Sequence, residues 1–242
     1  MSELKICDYS DFDYKTEFWI KTNREYEHEL EKNMVNRLLK ENSYCFKSIL
    51  DAGCGFGRMA SSYQNEFEHC YLVDYAKNLL DQAQKELRPK KQFTFYQQSL
   101  YELDIKTTVD AIISIRTLHH LNNIDELFRR YYQTLNRDGT LIIDVPNYYH
   151  LKSRIRSPLQ ERKPMIKLSE TFYNYDPYYI IEKLKQTGFN IIDYRQLGLF
   201  RINLIKRIIP YRFLVKLETF LNRFIKNIHI GPSVYIVAKK CG

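Results

Sequence analysis

Residues Ser48–Arg58 read S-I-L-D-A-G-C-G-F-G-R, a short apolar run that ends in an acid and continues into a glycine loop. Glycine has no Cβ and adopts positive φ freely, so Gly53, Gly55 and Gly57 permit a sharp strand-to-helix turn that approaches a ligand closely. The N–H groups at the start of the next helix favour binding of a carboxylate or a phosphate. The Asp51 carboxylate can accept hydrogen bonds from cationic or hydroxyl groups. This segment predicts a ligand site at the end of a strand.

A second apolar strand follows at the spacing of one βαβ unit. Residues 69–74 read H-C-Y-L-V-D, and Asp74 stands 23 residues after Asp51. A carboxylate at the tip of this strand can accept hydrogen bonds from both ribose hydroxyls of an adenosine. The pattern therefore indicates that Asp74 binds a ribose, and the alternative interpretation is an exposed loop aspartate.

The segment D-A-G-C-G-F-G closely resembles the first motif of class I S-adenosylmethionine-dependent methyltransferases. Dinucleotide-dependent dehydrogenases, the main alternative, usually carry G-x-G-x-x-G, whereas this chain has G-x-G-x-G after an acid. The resemblance implies S-adenosyl-L-methionine as cofactor and S-adenosyl-L-homocysteine as its product. It also implies cofactor contacts from Asp51, Ala52, Gly53, Cys54, Gly55, Gly57, Arg58, Asp74 and Tyr75. Within this set, we interpret Cys54 as a small filler beside the cofactor rather than a nucleophile.

The resemblance continues as far as Asn147. Residues 96–100, Y-Q-Q-S-L, resemble the third motif, so Ser99 and Leu100 are expected to flank the adenine. Ser99 stands where many family members have Asp. This chain therefore has no acidic side chain at that position to accept a hydrogen bond from the adenine amine. Residues 135–147 resemble the turn and the fifth strand that close this part of the fold.

Residues 109–121, V-D-A-I-I-S-I-R-T-L-H-H-L, resemble the fourth strand and the loop after it. Ligands of open α/β sheets bind at the carboxyl ends of the strands, so Ile115 and Arg116 are added as cofactor contacts. His119 is the candidate catalytic base, while His120 is expected to hold the loop. Arg116 has two interpretations, a clamp for an anionic substrate or a surface ion pair, and the sequence leaves both open.

The N-terminal segment, residues 1–47, contains the only tryptophan and an amphipathic, highly charged run. We expect a helical lid, because many relatives close such a helix over the methionine end of the cofactor. Tyr26 and Arg24 are the candidates for that contact by position. The alternative is a solvated helix that packs on the sheet through Leu30 and its helical neighbours.

Alternating strand and helix patterns predict an α/β, Rossmann-like fold with a mostly parallel seven-stranded sheet and helices on both faces. The resemblance implies an antiparallel last strand. We expect one methyltransferase domain over residues 1–242, with a cofactor core at 48–147 and a substrate-facing part at 148–242. Predicted helices cover 15–40, 57–66, 76–87, 124–135 and 177–187, and predicted strands 48–51, 70–74, 93–97, 111–115, 140–145, 189–196 and 234–239.

Positive charge is concentrated in the last third of the chain. The chain carries a net charge of +8, and residues 150–242 hold 18 Lys and Arg against 6 Asp and Glu. A basic helical insertion is predicted at about 199–228, broken at Pro210. It has three interpretations: a packed helix with a solvated face, a lid or peripheral membrane contact, or an RNA platform.

The expected protein is a cytoplasmic methyltransferase that methylates a small-molecule or lipid-like acceptor at O, N or C. The sequence contains no run of about 18 apolar residues and opens with no secretory leader pattern. Its five cysteines lack C-x-x-C spacing, so neither a disulfide framework nor a metal site is expected. The alternatives are a tRNA or other RNA methyltransferase and a non-enzymatic accessory protein that binds the cofactor.

Overall fold

Apolar runs at the predicted positions form the strands of one mixed sheet. The computed structural model describes residues 15–22, 24–42, 45–87, 91–157, 159, 161–201, 203–222 and 231–241. In chain order the strands are β1 (Ser48–Ala52), β2 (His69–Asp74), β3 (Phe93–Gln97), β4 (Val109–Ser114), β5 (Leu135–Pro146), β6 (Met165–Ser169), β7 (Phe172–Tyr175), β8 (Phe189–Leu197) and β9 (Ser233–Lys240). Seven of these make the main sheet, and β6 and β7 form a separate antiparallel hairpin.

The main sheet has the order β3-β2-β1-β4-β5-β9-β8. Pairs among β1 to β5 are parallel, whereas β9 runs antiparallel to both β5 and β8. The predicted seven-stranded sheet with an antiparallel last strand is confirmed. Chain order reverses at β1, which lies between β2 and β4, and such a switch point opens a crevice outside the carboxyl ends of the strands.

Helices cover both faces of the sheet, as predicted. They are α1 (Glu25–Asn42), α2 (Lys77–Leu87), α3 (Ile124–Thr134), α4 (Leu151–Arg156), α5 (Pro177–Thr187), α6 (Asn203–Ile208) and α7 (Tyr211–Leu221). One apolar cluster contains residues of α3 and α5, and a second contains residues of α1, α2 and α7. The sheet is therefore buried on both sides, which explains the near-continuous apolar runs of its central strands.

Local sequence signals set the helix ends. Asp176 caps α5 by accepting a 3.0 Å hydrogen bond from the Tyr178 backbone N–H, and Pro177 takes the first helical position. At the other end Gly188 adopts a φ of +107°, a conformation that favours glycine. The predicted boundaries of this helix match the structure because a cap, a proline and a terminating glycine all agree.

The helix predicted at 57–66 is wrong. Only a 3₁₀ turn at Ala60–Ser62 forms there, flanked by hydrogen-bonded turns. The Ser62 hydroxyl donates to the Met59 carbonyl at 2.6 Å, and such local side-chain bonds compete with a regular helix. The helix predicted at 15–40 is likewise divided into a π-helical turn at Lys15–Ile20 and α1.

The basic insertion begins as two short helices, α6 and α7, separated at Pro210 as predicted. Leu214 and Val215 of α7 join the buried cluster that contains α1, which supports the interpretation as a packed helix. Phe213 and Phe220 of the same helix are exposed. Positions 202 and 223–228 of the predicted insertion lie outside the described residues. No helix in the described ranges is long and apolar enough to span a membrane.

Candidate active site

The glycine loop after β1 turns sharply over the end of β2. Backbone N–H groups of Gly53 and Cys54 both donate to the Val73 carbonyl, at 2.8 and 3.0 Å. Gly53 has a φ of +78°, and a Cβ there would lie only 2.4 Å from Thr117 Oγ1. The loop therefore requires glycine for its conformation and for its contact with the segment after β4.

The loop is tied to the predicted ribose acid. Asp74 Oδ2 accepts a 2.7 Å hydrogen bond from the Gly55 N–H, and Oδ1 accepts a 2.8 Å bond from the Ala76 N–H. Burial raises the pKa of Asp74, although these backbone N–H groups act in the opposite direction. The carboxylate is thus held by two backbone hydrogen bonds, and it lines the cavity described next.

One large cavity opens at the carboxyl ends of β1, β2 and β4, with about 980 Å³ of empty space including its mouth. Predicted cofactor residues that line it are Asp51, Gly53, Cys54, Gly55, Arg58, Asp74, Tyr75, Ser99, Leu100, Ile115 and Arg116. Residues that the sequence analysis missed are Trp19, Phe56, Met59, Ala76, Leu79, Tyr101, Thr117, His120 and Leu121. Its volume and mixed lining suit a ligand the size of a nucleoside.

Ala52 and Gly57 were also predicted as cofactor contacts, and neither belongs to the cavity lining. Ala52 is fully buried in β1, where its carbonyl accepts a 3.3 Å hydrogen bond from Thr117 Oγ1. Gly57 faces α2, since a Cβ there would lie 3.0 Å from Leu87 Cδ1 and 3.3 Å from Ala83 Cβ. Ala52 and Gly57 therefore support the loop through contacts with the protein rather than by lining the cavity.

Asp51 lies deep in the cavity and accepts a 2.8 Å hydrogen bond from the Tyr63 hydroxyl. Burial raises its pKa to about 7, and the Tyr63 hydrogen bond and the charge of Arg58 oppose that shift. Cys54 beside it is buried, and burial raises the pKa of its thiol well above the usual range. A thiolate is therefore disfavoured, in agreement with the interpretation of Cys54 as a filler.

The segment after β3 presents an apolar surface to the cavity. Ser99 Oγ accepts a 3.3 Å hydrogen bond from the Tyr101 N–H and so caps a 3₁₀ turn at Leu100–Glu102. Leu100 and Tyr101 are 7% and 9% exposed, and both line the cavity. The serine in place of an acid has a structural use here, because it orients the apolar residues that follow it.

Arg116 is held in an unusual backbone conformation by a buried carboxylate. Its φ is +62°, and its N–H donates a 2.6 Å hydrogen bond to Asp144 Oδ1. Its guanidinium Nε donates to Glu31 Oε1 at 2.9 Å, and Arg58 pairs with Glu31 Oε2 at 2.8 Å. Although burial opposes it, the guanidinium groups of Arg116, Arg58 and Arg201 lower the pKa of Glu31 to about 2. The ion pair of Arg116 is internal rather than on the surface.

An aromatic residue other than the predicted Tyr26 reaches the cavity from the N-terminal segment. The Trp19 ring lines the cavity, and the Arg58 guanidinium lies 4.0 Å from its centroid. Tyr26 is buried elsewhere: its hydroxyl donates to Glu218 and accepts a 3.3 Å hydrogen bond from the Phe200 N–H. Helical periodicity in the sequence carries no signal for which aromatic residue of this segment reaches the cavity.

The structure places the two histidines differently from the prediction, which put His119 nearer the ligand. His120 lines the cavity, whereas His119 is not among the lining residues and packs on His120 with ring centroids 3.9 Å apart. Burial lowers the pKa of His120 to about 4 and that of His119 well below the usual range. Burial therefore disfavours the imidazolium form of both residues, and a catalytic role for His119 stays a prediction. Within the described part of the chain, no cluster suits a metal ion.

These features fit an adenosine-containing cofactor. The glycine loop, in which Gly53 packs against Thr117 with no room for a Cβ, lines one cavity together with the acid Asp74 and the apolar Leu100. Residues 50–143 match the family model described as a methyltransferase domain. This match and the geometry of the site together support a class I S-adenosylmethionine-dependent methyltransferase. The cofactor of this family is S-adenosyl-L-methionine, as the resemblance implied.

Individual relatives agree with this assignment. A malonyl-[acyl-carrier protein] O-methyltransferase of Bacillus cereus is 29% identical over 147 residues, which cover 58% of this chain and 54% of the relative. The chain thus spans about half the length of the curated relatives it matches. A crystal structure of an S-adenosylmethionine-dependent methyltransferase from Clostridium acetobutylicum has a TM-score of 0.64 at 17% identity, over 95% of this chain and 96% of that one.

A third similar structure contains a bound ligand. The magnesium protoporphyrin IX methyltransferase of Synechocystis, solved with bound S-adenosylhomocysteine, has a TM-score of 0.61 at 17% identity. The alignment covers 92% of this chain and 87% of that one. At this identity the structural comparisons establish the fold and do not identify an acceptor.

Proposed function

We propose that this protein transfers a methyl group from S-adenosyl-L-methionine to a small-molecule or lipid-like acceptor. The observation that carries the proposal is the convergence of Asp74, the glycine loop and Leu100 on one cavity at the switch point of the sheet. Bound there, the cofactor would supply an electrophilic methyl group on a sulfonium. Apolar side chains dominate the rest of the lining, which suits an acceptor with an apolar portion.

The residues of the chain are proposed to bind, orient and exclude water. Asp74 would accept from the ribose hydroxyls, and Ser99 and Leu100 would flank the adenine. Trp19 and Arg58, stacked at 4.0 Å, would cover the cavity at the N-terminal segment. Methyl transfer neutralises a charge, so alignment and exclusion of water supply much of the rate without a strong base.

RNA methylation and membrane contact receive no support from the relatives. In the basic insertion, α7 packs partly against α1, and Lys206 of α6 pairs with the buried Glu27 of α1 at 2.9 Å. Positive charge in this region is therefore directed in part toward the protein interior. A small acceptor remains the proposal that the described residues favour.

Thermal unfolding with S-adenosylmethionine, S-adenosylhomocysteine and NADH tests the cofactor. At about a hundred times Kd a ligand adds about 2.7 kcal/mol of stability, which raises Tm by several degrees. The two sulfur compounds should stabilise the protein and NADH should not. Transfer of labelled methyl from S-adenosylmethionine to small molecules of an extract then tests the activity. Binding without any transfer would favour the accessory protein over the enzyme.

A further inference from the structure

A second, polar pocket lies beside the cofactor cavity. It is lined by Thr22, Arg24, Glu27, Arg116, Arg201 and Lys206, and we call it the basic pocket. Arg116 lines both this pocket and the cofactor cavity, so the two are neighbours. Four of its six lining residues are cations, and they come from three separate segments: before α1, after β4 and after β8.

Cations outnumber carboxylates where the basic pocket meets the interior. The Glu31 carboxylate, 1% exposed, pairs with three guanidinium groups: Arg58 at 2.8 Å, Arg116, and Arg201 at 3.4 Å. Asp144 is the other carboxylate beside Arg116, and burial raises its pKa to about 6. The pocket also contains Glu27, which pairs with Lys206. With all three carboxylates ionised, the three guanidinium groups and Lys206 still exceed them by one positive charge.

Arg201 is the least satisfied of these cations. Its Nε is buried and has no hydrogen-bond partner among the described residues, and its contact with Glu31 is long. Burial and the nearby charge of Arg116 lower the pKa of Arg201, because both disfavour its cationic form. A buried guanidinium with an unused donor gains most from an anion that accepts hydrogen bonds from it.

The loop that carries Arg201 is built to hold it in place. Gly198 has a φ of +90°, and a Cβ there would lie 2.4 Å from Arg201 Nε, so the guanidinium lies directly against this backbone. Glu218 of α7 accepts a 2.5 Å hydrogen bond from the Gly198 N–H. Tyr26 of α1 donates to Glu218 and accepts from the Phe200 N–H. Two helices therefore position Arg201 at the edge of the basic pocket.

We infer that the basic pocket binds an anionic group, a carboxylate or a phosphate, of the methyl acceptor. Guanidinium forks match the planar oxygen pairs of carboxylates and the oxygens of phosphates. Since an acceptor exists only if the protein is the methyltransferase proposed above, this site depends on that function. Anchored there, the acceptor extends past Arg116 into the cofactor cavity.

Fluorescence of Trp19 provides the test. It is the only tryptophan of the chain, and the Arg116 guanidinium lies 5.6 Å from its ring. The protein is first titrated with S-adenosylhomocysteine and then, at saturation and constant ionic strength, with inorganic phosphate or glutarate. We expect a saturable change in emission with at least one anion. Arg201→Gln should raise that Kd about tenfold or more, whereas Arg129→Gln, an exposed arginine of α3, should leave it unchanged.

The two anions distinguish a phosphate-bearing acceptor from a carboxylate-bearing one, and tighter binding of either supports the site. Absence of saturable binding by both, or equal Kd values in the wild type and Arg201→Gln, would overturn it. If Arg201→Gln does not fold, Arg24→Gln replaces it, with an increase in Kd again expected.

The cofactor itself carries a carboxylate, so its contribution is measured separately. Affinities for S-adenosylhomocysteine and for 5′-methylthioadenosine, which lacks the amino acid, are compared in the wild type and Arg201→Gln. Unchanged affinities agree with an acceptor site. A loss of affinity for S-adenosylhomocysteine alone would assign the basic pocket to the cofactor and overturn the inference. Failure of the wild type to bind S-adenosylhomocysteine would instead contradict the proposed function, before any anion is added.

Discussion

The backbone N–H of Gly55 donates a 2.7 Å hydrogen bond to Asp74 Oδ2, so the glycine loop and the predicted ribose acid are joined directly. The same carboxylate accepts from Ala76 at the start of the segment that leads into α2. Asp74 therefore has two uses, to fix the loop and to offer its remaining acceptor positions to a ligand. A substitution at this residue should affect both.

Asp74→Ala is expected to weaken S-adenosylhomocysteine binding by about 10- to 150-fold, because hydrogen bonds to a charged group contribute about 1.5 to 3 kcal/mol. Isothermal titration calorimetry measures this, with circular dichroism to confirm folding. Asp81→Ala is the matched control, since Asp81 pairs with Lys77 on the exposed surface of α2. Equal affinities of the wild type and Asp74→Ala would remove the ribose assignment.

Gly53→Ala should be more damaging than Gly55→Ala. Both residues have positive φ, which costs an L-residue about 1 to 2 kcal/mol. Only at Gly53 does the added Cβ also collide, 2.4 Å from Thr117 Oγ1, whereas at Gly55 the nearest atom, Leu79 Cδ1, is 3.9 Å away. Urea unfolding and cofactor titration should rank the two variants in this order. Combining Gly53→Ala with Thr117→Ala should restore part of the loss, and an unchanged loss would argue against the collision.

Glu31→Gln should destabilise the protein by about 3 to 5 kcal/mol, because it leaves the buried guanidinium groups around it without this counter-charge. The folded-state pKa of Glu31, about 2, lies below its ordinary value of 4.5. Its stabilising effect is therefore present above about pH 4.5 and is lost as the pH falls toward 2. The gap in unfolding free energy between the wild type and Glu31→Gln should be constant near neutral pH and shrink in acid.

Urea unfolding at several pH values measures that gap. Glu29→Gln is its control, since Glu29 lies on the same helix, is 38% exposed and pairs with Lys32. This surface pair should contribute about 0 to 1 kcal/mol. A gap for Glu31→Gln as small as that of the control would contradict the role of Glu31 as the centre of the arginine cluster.

S-Adenosylhomocysteine should change the emission of Trp19. The indole is 8% exposed, lines the cavity and faces the Arg58 guanidinium at 4.0 Å, so a ligand alters its surroundings. Trp19→Phe should abolish the signal and weaken binding, which calorimetry measures independently. If S-adenosylhomocysteine binds by calorimetry while the emission of the wild type stays unchanged, the N-terminal segment does not cover the cofactor.

The sheet and the cofactor cavity were predictable because several local signals agree. Apolar runs mark the strands, and Gly53 and Asp74 stand where the topology brings loop and strand ends together. The hairpin of β6 and β7 was not predicted. Its first strand is mostly exposed and contributes little apolar periodicity, so pairing with β7 rather than composition defines it.

The sequence alone did not predict which side chains of the N-terminal segment face the cavity. Helical periodicity identified α1 as amphipathic but did not distinguish which aromatic residue faces the cavity. Packing of α1 against α7 directs Tyr26 to Glu218, while the turn before α1 places Trp19 over Arg58. Tyr26 and Glu218 are 192 residues apart and Trp19 and Arg58 are 39 apart, and a single sequence does not display such long-range contacts.

The place of β9 between β5 and β8 has a consequence for synthesis of the chain. Thr140 of β5 pairs with Lys239, so the partner of this strand is translated about a hundred residues later. Until β9 emerges, β5 and β8 each present an open edge of unpaired backbone groups, a template for pairing with other chains. Aggregation during translation, and dependence on chaperones that shield strand edges, should therefore be most acute just before the last strand leaves the ribosome.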